Sequence, residues 1–109
     1  MMNKKDYYVY ILRCRDESLY TGITTDVEKR YREHERGEGA KYTRAKGVKK
    51  IELFFKCSGR SEASRIEKFI KNLKKPQKEL YIDNSELLFE KIKEKLNLEI
   101  KNKKSVDTT

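Results

Sequence analysis

The strongest constraint on the fold is the stretch YYVYILRC, from Tyr7 to Cys14. Its β-branched and aromatic residues form an apolar run of strand length, which predicts a well-buried strand. The following RDES favours a turn, and LYTGIT, from Leu19 to Thr24, predicts a second strand. We therefore expect the chain to begin with a β-hairpin.

Helical signals follow the hairpin. Thr25 or Asp26 can cap a helix whose body is VEKRYREHER and which ends at Gly37. Ser61 is expected to cap a second helix that runs to about residue 74, and Pro76 prevents its continuation. One or two further helices are predicted from residue 77 to about residue 98, with a break near DNS.

The segments between these helices complete the predicted fold. GEGAKYTRAKG is polar apart from Tyr42 and is bounded by glycines, which predicts a basic loop. IELFFKC, from Ile51 to Cys57, predicts a third strand, whose pairing the sequence does not reveal. The order β-β-α-β-α-α indicates an α+β fold, in which helices flank a small three-stranded sheet. We expect one domain over residues 1–98, with a core at about 7–82, and a frayed basic tail over residues 99–109.

The charge of the chain indicates the class of its partners. The 27 Lys and Arg exceed the 18 Asp and Glu by nine, and 41% of all residues are charged. Such a surplus favours polyanions, because Lys and Arg neutralise phosphates and release counterions. The alternative is a lysine-rich protein without such a partner. Hydrophobic residues are only 36%, but seven Tyr and four Phe supply large side chains for an ordered small core.

The cysteines and the first residues argue against other protein classes. Cys14 and Cys57 are too few for a disulfide framework and, with one histidine, too few for a four-ligand zinc site. Both are expected to be buried thiols in a reducing cytosol. The opening MMNKKDYYVY has no long apolar run, so neither a signal peptide nor a membrane span is predicted. We expect a cytoplasmic monomer.

Polar residues occupy an inward face of the first predicted helix. Four residues share this face at helical spacing: Val27, Arg30, Tyr31 and His34. A buried arginine is costly unless an anion meets it. One interpretation is a structural salt bridge for Arg30 and an edge position for His34, and the other is a functional site.

The second predicted helix has a similar anomaly. Glu67 lies four residues after Ala63 and three before Ile70, so it is expected to face inwards with them. It can pair with Arg30 in a structural ion pair. Alternatively, it can hold a divalent cation, which prefers oxygen ligands and keeps several waters.

Two strand tyrosines complete the set. Tyr10 and Tyr20 share one side of the sheet if the hairpin loop has an odd number of residues. Gly22, next to them, leaves room for a backbone or a ligand to approach closely. Because strand tyrosines are usually packing residues, a structural role is the alternative for each.

Together these residues resemble the GIY-YIG nuclease superfamily. Its first signature tripeptide corresponds to YVY, residues 8–10, and its second to YTG, residues 20–22. Arg30 stands where the family has its helix arginine, His34 follows one turn later, and Glu67 matches the metal-binding glutamate. The resemblance is greatest to the small stand-alone bacterial proteins of the YhbQ type. Unlike many members, this chain has no glycine in its first tripeptide or in its hairpin turn.

The resemblance implies a metal-dependent endonuclease that acts on DNA, with a role in DNA repair or processing. Glu67 would hold one Mg²⁺ or Mn²⁺, and Arg30 would clamp the phosphate. Tyr10 would orient or deprotonate the attacking water, and His34 would take the proton onward, since histidine can titrate near neutrality. Tyr20 would hydrogen-bond the phosphate or the water. These five residues are the predicted catalytic set.

The predicted basic loop supplies candidates for nucleic-acid binding. They are Lys41, Arg44 and Lys46, with Tyr42 as a stacking group. We expect DNA rather than RNA, bound mainly through its backbone or shape, with a protein partner as one possible source of specificity. Two alternatives keep the same residues: a non-catalytic nucleic-acid-binding module and a partner-dependent nuclease subunit.

Overall fold

The computed structural model describes residues 6–100 and the backbone of residues 103–104. The strands are β1 (Tyr7–Cys14), β2 (Leu19–Thr24), β3 (Val48–Cys57) and the two-residue β4 (Lys103–Lys104). The helices are α1 (Val27–Glu35), α2 (Lys41–Lys46), α3 (Arg60–Lys71), α4 (Lys75–Asp83) and α5 (Ser85–Leu96). Most of the tail that we expected to fray lies outside the described residues.

The sheet has the order β2-β1-β3-β4, and every neighbouring pair is antiparallel. Its three long strands, with helices on both faces, confirm the predicted α+β fold. β1 is the central strand, because β2 pairs with one of its edges and β3 with the other. This answers the question of pairing that the sequence left open, and it explains why YYVYILRC is apolar along most of its length.

The β1–β2 hairpin sets the register of the site. Tyr10 pairs with Gly22, and Leu12 pairs with Tyr20, so Tyr10 and Tyr20 lie on the same face of the sheet. The loop has three residues, 15–17, because the Cys14 amide donates to the Ser18 carbonyl at 2.8 Å. The loop is therefore odd in length, which was the condition for this arrangement.

The two faces of the sheet differ in character. On one face, the odd-numbered residues of β1 pack with α3, α4 and α5 in the larger apolar cluster: Val9, Ile11, Leu53, Phe55, Ala63, Ile66, Ile70, Tyr81, Leu88, Phe89 and Ile92. On the other face, Tyr10, Leu12 and Val48 form a smaller cluster, against which Tyr31 of α1 packs. The candidate catalytic tyrosines thus lie on the less apolar face, beneath α1.

One predicted element is wrong. GEGAKYTRAKG is not a loop throughout, since its second half forms α2. Lys, Ala and Arg are strong helix formers, Gly47 ends the helix with φ of +76°, and Thr43 anchors it in the interior. Six residues are too few for a hydrophobic period to appear in the sequence.

The starts of α3 and β3 also differ from the predictions. α3 begins at Arg60 with Gly59 as its N-cap, so Ser61 does not cap it. Gly59 has φ of +105°, which other residues rarely adopt, and the Glu62 carboxylate accepts from the Ser58 amide at 2.7 Å just before the helix. β3 begins at Val48, three residues earlier than predicted, because its pairing with β1 continues through register shifts.

A partly buried ion cluster joins α4 to the sheet. The Arg13 guanidinium donates to Glu52 of β3 at 2.7 Å and to Glu79 of α4 at 2.8 Å. The hydrogen bonds from Arg13 lower the pKa of Glu79 to about 2.

The predicted burial of both cysteine thiols is confirmed. Within the part of the chain that the structure describes, no helix is long and apolar enough to cross a membrane.

Candidate active site

Three aromatic side chains from different elements meet on the α1 face of the sheet. The His34 ring of α1 lies 5.8 Å from the Tyr10 ring of β1 and 5.5 Å from the Tyr20 ring of β2, measured between centroids. The two tyrosine rings are 6.4 Å apart. The face of α1 that carries Arg30 and His34 is therefore turned towards the tyrosines, as its spacing predicted.

Gly22 makes room for Tyr10. A Cβ atom at Gly22 would lie 2.5 Å from the Tyr10 hydroxyl oxygen and 2.7 Å from the ring carbon that bears it. Since Gly22 is the strand partner of Tyr10, the tyrosine ring lies across the glycine backbone. The close approach expected at this glycine is thus made by a side chain of the site itself.

A chain of hydrogen bonds runs from Tyr10 into the protein. The Tyr10 hydroxyl lies 2.9 Å from His34 Nε2, and His34 Nδ1 lies 2.7 Å from Thr43 Oγ1. The Thr43 hydroxyl donates to the Ala40 carbonyl at 3.0 Å. Because this hydroxyl has one proton, it accepts from His34, whose Nδ1 then carries hydrogen. This arrangement favours Nε2 as the acceptor of a hydrogen bond from the Tyr10 hydroxyl.

Burial of Tyr10 and His34 determines whether each side chain is charged. Burial raises the pKa of Tyr10 to about 12, and the Arg30 guanidinium nearby acts in the opposite direction. Burial also lowers the pKa of His34 to about 4, and the charge of Arg30 adds to this effect. Both side chains are therefore neutral at pH 7. The prediction that His34 titrates near neutrality is wrong, because only 2% of the residue is exposed.

Arg30 is not part of the dry interior. Its side chain is 33% exposed, and its guanidinium donates to Glu33 of the same helix at 2.9 Å. Within residues 6–100 this is its one ion pair, so the alternative of a structural Arg30–Glu67 bridge is wrong. A half-buried guanidinium with an exposed side beside Tyr10 can meet a phosphate that arrives from solvent.

Glu67 of α3 fits the requirements for one magnesium or manganese ion. Its side chain is 22% exposed, and one carboxylate oxygen lies 3.1 Å from Lys71 Nζ. The described residues contain no group of three His, Cys, Asp or Glu side chains placed to hold a metal ion. A single accessible carboxylate suits Mg²⁺, which keeps most of its waters and needs only one or two protein oxygens. Lys71 would compete with the metal ion for this carboxylate.

Lys71 connects α3 to the tyrosines. Its Nζ lies 5.8 Å from the centre of the Tyr20 ring, in addition to its contact with Glu67. Glu67 is also close enough to raise the pKa of Tyr10, although burial of that hydroxyl is the larger cause. The carboxylate, the lysine and the tyrosines therefore lie near one another, and the space that they border is here called the cleft.

The predicted nucleic-acid residues lie on α2 at the rim of this cleft. Tyr42 stacks on Tyr20, with ring centroids 5.9 Å apart, and is 39% exposed. Lys46 pairs with Asp16 at 2.8 Å and lies over the Tyr42 ring. Lys41 and Arg44 are exposed and form no ion pair with the described residues. Two of the three cations are therefore available to phosphates, whereas Lys46 is partly neutralised.

Sequence reasoning missed three residues of the site: Gly39, Thr43 and Lys71. Gly39 lies against the His34 ring, and a Cβ atom there would collide with Nδ1. Thr43 and Lys71 stand among many polar residues, and nothing in the local pattern distinguishes them. The one available signal for Thr43 was its place in GAKYTR, between two residues already assigned to nucleic-acid binding.

Comparison with known proteins adds independent information. A family model described as the GIY-YIG catalytic domain matches residues 6–80. A UPF0213 protein from Cronobacter sakazakii is 46% identical over 89 residues, which cover 82% of this chain and 93% of that protein. UPF0213 protein YhbQ from Salmonella typhimurium is 48% identical over 80 residues, 73% of this chain and 80% of the relative.

A solved structure is similar as well. The solution NMR structure of protein EF2693 from E. faecalis has 45% sequence identity and a TM-score of 0.53. The similarity covers 80% of this chain and 93% of that one.

Proposed function

This chain belongs to the GIY-YIG catalytic-domain family, and we propose that it is a metal-dependent endonuclease that hydrolyses phosphodiester bonds in DNA. The observation that carries the proposal is the hydrogen bond of Tyr10 to a neutral His34, next to the partly exposed guanidinium of Arg30. Hydrolysis needs an attacking water, an acceptor for its proton and positive charge at the phosphate. The cleft supplies a side chain for each need.

Arg30 is the proposed phosphate ligand. Its planar guanidinium can donate to two phosphate oxygens at once, and its exposed fraction leaves it open to solvent. A phosphate there replaces Glu33 or joins it as a second anion. The arginine charge then stabilises the extra negative charge that develops as water attacks the phosphorus.

Tyr10 and His34 form the proposed path for the proton. As the water adds to the phosphorus, its proton passes to the Tyr10 oxygen, and the Tyr10 proton passes to His34 Nε2. This relay requires Tyr10 to donate towards His34, which is the direction that the Thr43 contact favours. Tyr10 is then never left as an isolated phenolate. Tyr20 borders the same space and offers its hydroxyl to the phosphate or the water.

The resting site does not transfer this proton by itself. Burial raises the pKa of Tyr10 to about 12 and lowers the pKa of His34 to about 4, so this transfer costs free energy in the absence of substrate. Burial is the main cause of the low pKa of His34, and the charge of Arg30 adds to it. A phosphate bound to Arg30 offsets that charge and so reduces part of the cost. Binding of the substrate phosphate thus makes His34 a better proton acceptor.

Glu67 is the proposed ligand of Mg²⁺ or Mn²⁺. A bound divalent cation supplies Lewis-acid stabilisation of a phosphate oxygen and of the leaving oxygen. Lys71 competes for the carboxylate in the absence of metal and, once released, remains beside Tyr20 as a cation for the same phosphate group.

The rim residues indicate how a strand is held. Lys41 and Arg44 would contact phosphates on either side of the cleft, and Tyr42 would present an aromatic surface next to them. Such contacts follow the backbone and not the base sequence. We propose action in the cytoplasm on DNA with an accessible or distorted strand, in repair or processing, with a protein partner as a source of further specificity.

The decisive experiment is a cleavage assay on single-stranded, duplex and branched DNA, and on matching RNA, with Mg²⁺ or Mn²⁺. The control is Tyr10→Phe, which keeps the ring and removes the hydroxyl. We expect metal-dependent cleavage of at least one DNA substrate and a decrease of about 100-fold or more in the variant. Binding without cleavage of any substrate would instead favour the non-catalytic module, and equal rates for both proteins would remove Tyr10 from the chemistry.

A further inference from the structure

We propose that Thr43 is a positioning residue, which selects the ring nitrogen through which His34 accepts the proton of Tyr10. The geometric part of this inference stands on the contacts of α2 alone. Its consequence for cleavage rests on the proposed function.

The first turn of α2 fixes the direction of the Thr43 hydroxyl. Thr43 is 1% exposed, and its Oγ1 has two polar neighbours among the described residues, His34 Nδ1 and the Ala40 carbonyl. The same carbonyl accepts the Arg44 amide at 3.0 Å, which holds it in place. A carbonyl can only accept a hydrogen bond, so Thr43 uses its one hydroxyl proton in the hydrogen bond to the Ala40 carbonyl. His34 is therefore required to donate from Nδ1.

Packing also prevents the imidazole ring from flipping, which would move Nδ1 away from Thr43. Gly39 lies directly against the ring, on the Nδ1 side, with no room for even a methyl group. The Tyr10 and Tyr20 rings both meet it edge to face, at 61° and 62°. A ring flip would replace Nδ1 by a carbon at Thr43 and Nε2 by a carbon at Tyr10, so two buried hydrogen bonds would be broken.

The choice of tautomer decides the direction of proton transfer. With hydrogen on Nδ1, Nε2 has a free lone pair for the Tyr10 proton. With hydrogen on Nε2, His34 would donate to Tyr10, and the tyrosine could not pass its own proton on. The short helix at the rim of the cleft thus also sets the state of the buried histidine.

The test uses the fact that His34 is the only histidine of the chain. Protein labelled with nitrogen-15 in histidine gives the signals of a single ring, and long-range proton–nitrogen NMR spectra show which nitrogen bears hydrogen. The variants are Thr43→Val, which has nearly the same shape but no hydroxyl, and Thr43→Ser, which retains the hydroxyl. Spectra are recorded at about pH 7 without metal or substrate, and single-turnover cleavage is measured on the same preparations.

We expect hydrogen on Nδ1 in the wild type and in Thr43→Ser, and a mixture of tautomers in Thr43→Val. Cleavage should fall about 10- to 100-fold in Thr43→Val, as for other residues that orient a functional histidine, and should recover in Thr43→Ser. Hydrogen on Nε2 in the wild type would overturn the inference without any variant. An unchanged tautomer or an unchanged cleavage rate in Thr43→Val would overturn it as well.

The two proposals can fail separately. If the spectra agree with the expected tautomers but no substrate is cleaved under any condition, the geometric role of Thr43 stands and the nuclease proposal falls. If the wild type cleaves DNA but has the other tautomer, the nuclease proposal stands and the role of Thr43 falls.

Discussion

The Arg30 guanidinium pairs with Glu33, one turn along its own helix, and leaves Glu67 to Lys71. An arginine that served to neutralise Glu67 would close the cleft with an internal ion pair. Instead, Arg30 and Glu67, the two charges proposed to be functional, each have a local partner that an incoming ligand can displace. The arrangement suits a site that exchanges these partners for a phosphate and a metal ion.

The buried neutral histidine should make stability depend on pH. The unfolded chain protonates His34 below its ordinary pKa of 6.5, whereas the folded chain does so only below about 4. The folded state is therefore weakened as pH falls from about 6.5 towards 4. The free energy of unfolding should decrease by about 2 kcal/mol between pH 7.5 and about pH 5 from this group alone.

Urea unfolding of the wild type and of His34→Gln at both pH values isolates this contribution. Tyr10 and Arg30 keep their protons over this range, and the Arg30 ion pair lowers the pKa of Glu33 in both proteins. The wild type should lose more stability than the variant. Equal losses would show that His34 is protonated as easily in the folded chain as in the unfolded chain.

Gly22→Ala should displace Tyr10. The new methyl group would lie 2.5 Å from the tyrosine hydroxyl oxygen, so the ring must move or the strands must part. We expect a loss of about 1–3 kcal/mol in the free energy of unfolding, and the Tyr10–His34 hydrogen bond should break. In a Tyr10→Leu background the same substitution should cost much less, because leucine has no atoms at the place where the hydroxyl end of the tyrosine ring lies. An equal cost in both backgrounds would place the strain elsewhere.

Lys71→Ala should strengthen metal binding, because the lysine competes for the Glu67 carboxylate. Removal of one positive charge next to a divalent ion should raise Mn²⁺ affinity about three- to tenfold. Glu67→Gln should abolish binding, since the amide has a similar shape but no charge. Calorimetric titration measures both, with Lys68→Ala as a control on an exposed position of the same helix. Unchanged affinity in Glu67→Gln would exclude that residue as the ligand.

Replacement of Lys41, Arg44 and Lys46 by alanine should weaken DNA binding for all sequences alike. The slope of log affinity against log salt should become shallower by about 0.9 for each phosphate of duplex DNA that the variant no longer neutralises. Lys46 should contribute least, because Asp16 already neutralises much of its charge. A matched control replaces Lys91, Lys93 and Lys95 of α5, on the opposite face of the sheet, and so removes the same number of positive charges. A slope that changes only in the control would place the DNA on that face.

The parts of the fold that local patterns determine were predictable. The strands follow from their residue types, and the inward face of α1 follows from the period of 3.6 residues. The shared side of Tyr10 and Tyr20 was predictable only for a hairpin loop of odd length, which the structure has. A close approach of another group to Gly22 was also predicted, since a glycine within a strand leaves room for one. What approaches it, the Tyr10 ring, depends on strand register, which no local pattern fixes.

The parts that depend on contacts between distant elements were not predictable. Thr43 acts on a histidine nine residues earlier, through a helix too short to show a period. Arg13 joins Glu52 and Glu79, which lie 39 and 66 residues away. The low pKa of His34 likewise results from burial of its ring between α1, α2 and the sheet. Spacing placed this residue on the correct face but did not reveal how completely the face is covered.

The central claim is that Arg30 is a catalytic cation in an open cleft. The test compares Arg30→Ala with Arg32→Ala, a neighbouring position on the same helix whose guanidinium is 63% exposed and pairs with Glu28. Both variants should lose only about 0–1 kcal/mol in denaturant unfolding, because both ion pairs are accessible to solvent. Single-turnover cleavage should fall about 100- to 1,000-fold in Arg30→Ala and remain near the wild-type rate in Arg32→Ala. The opposite result, a stability loss of about 3–5 kcal/mol in Arg30→Ala with wild-type cleavage by the folded fraction, would show that Arg30 is a structural residue.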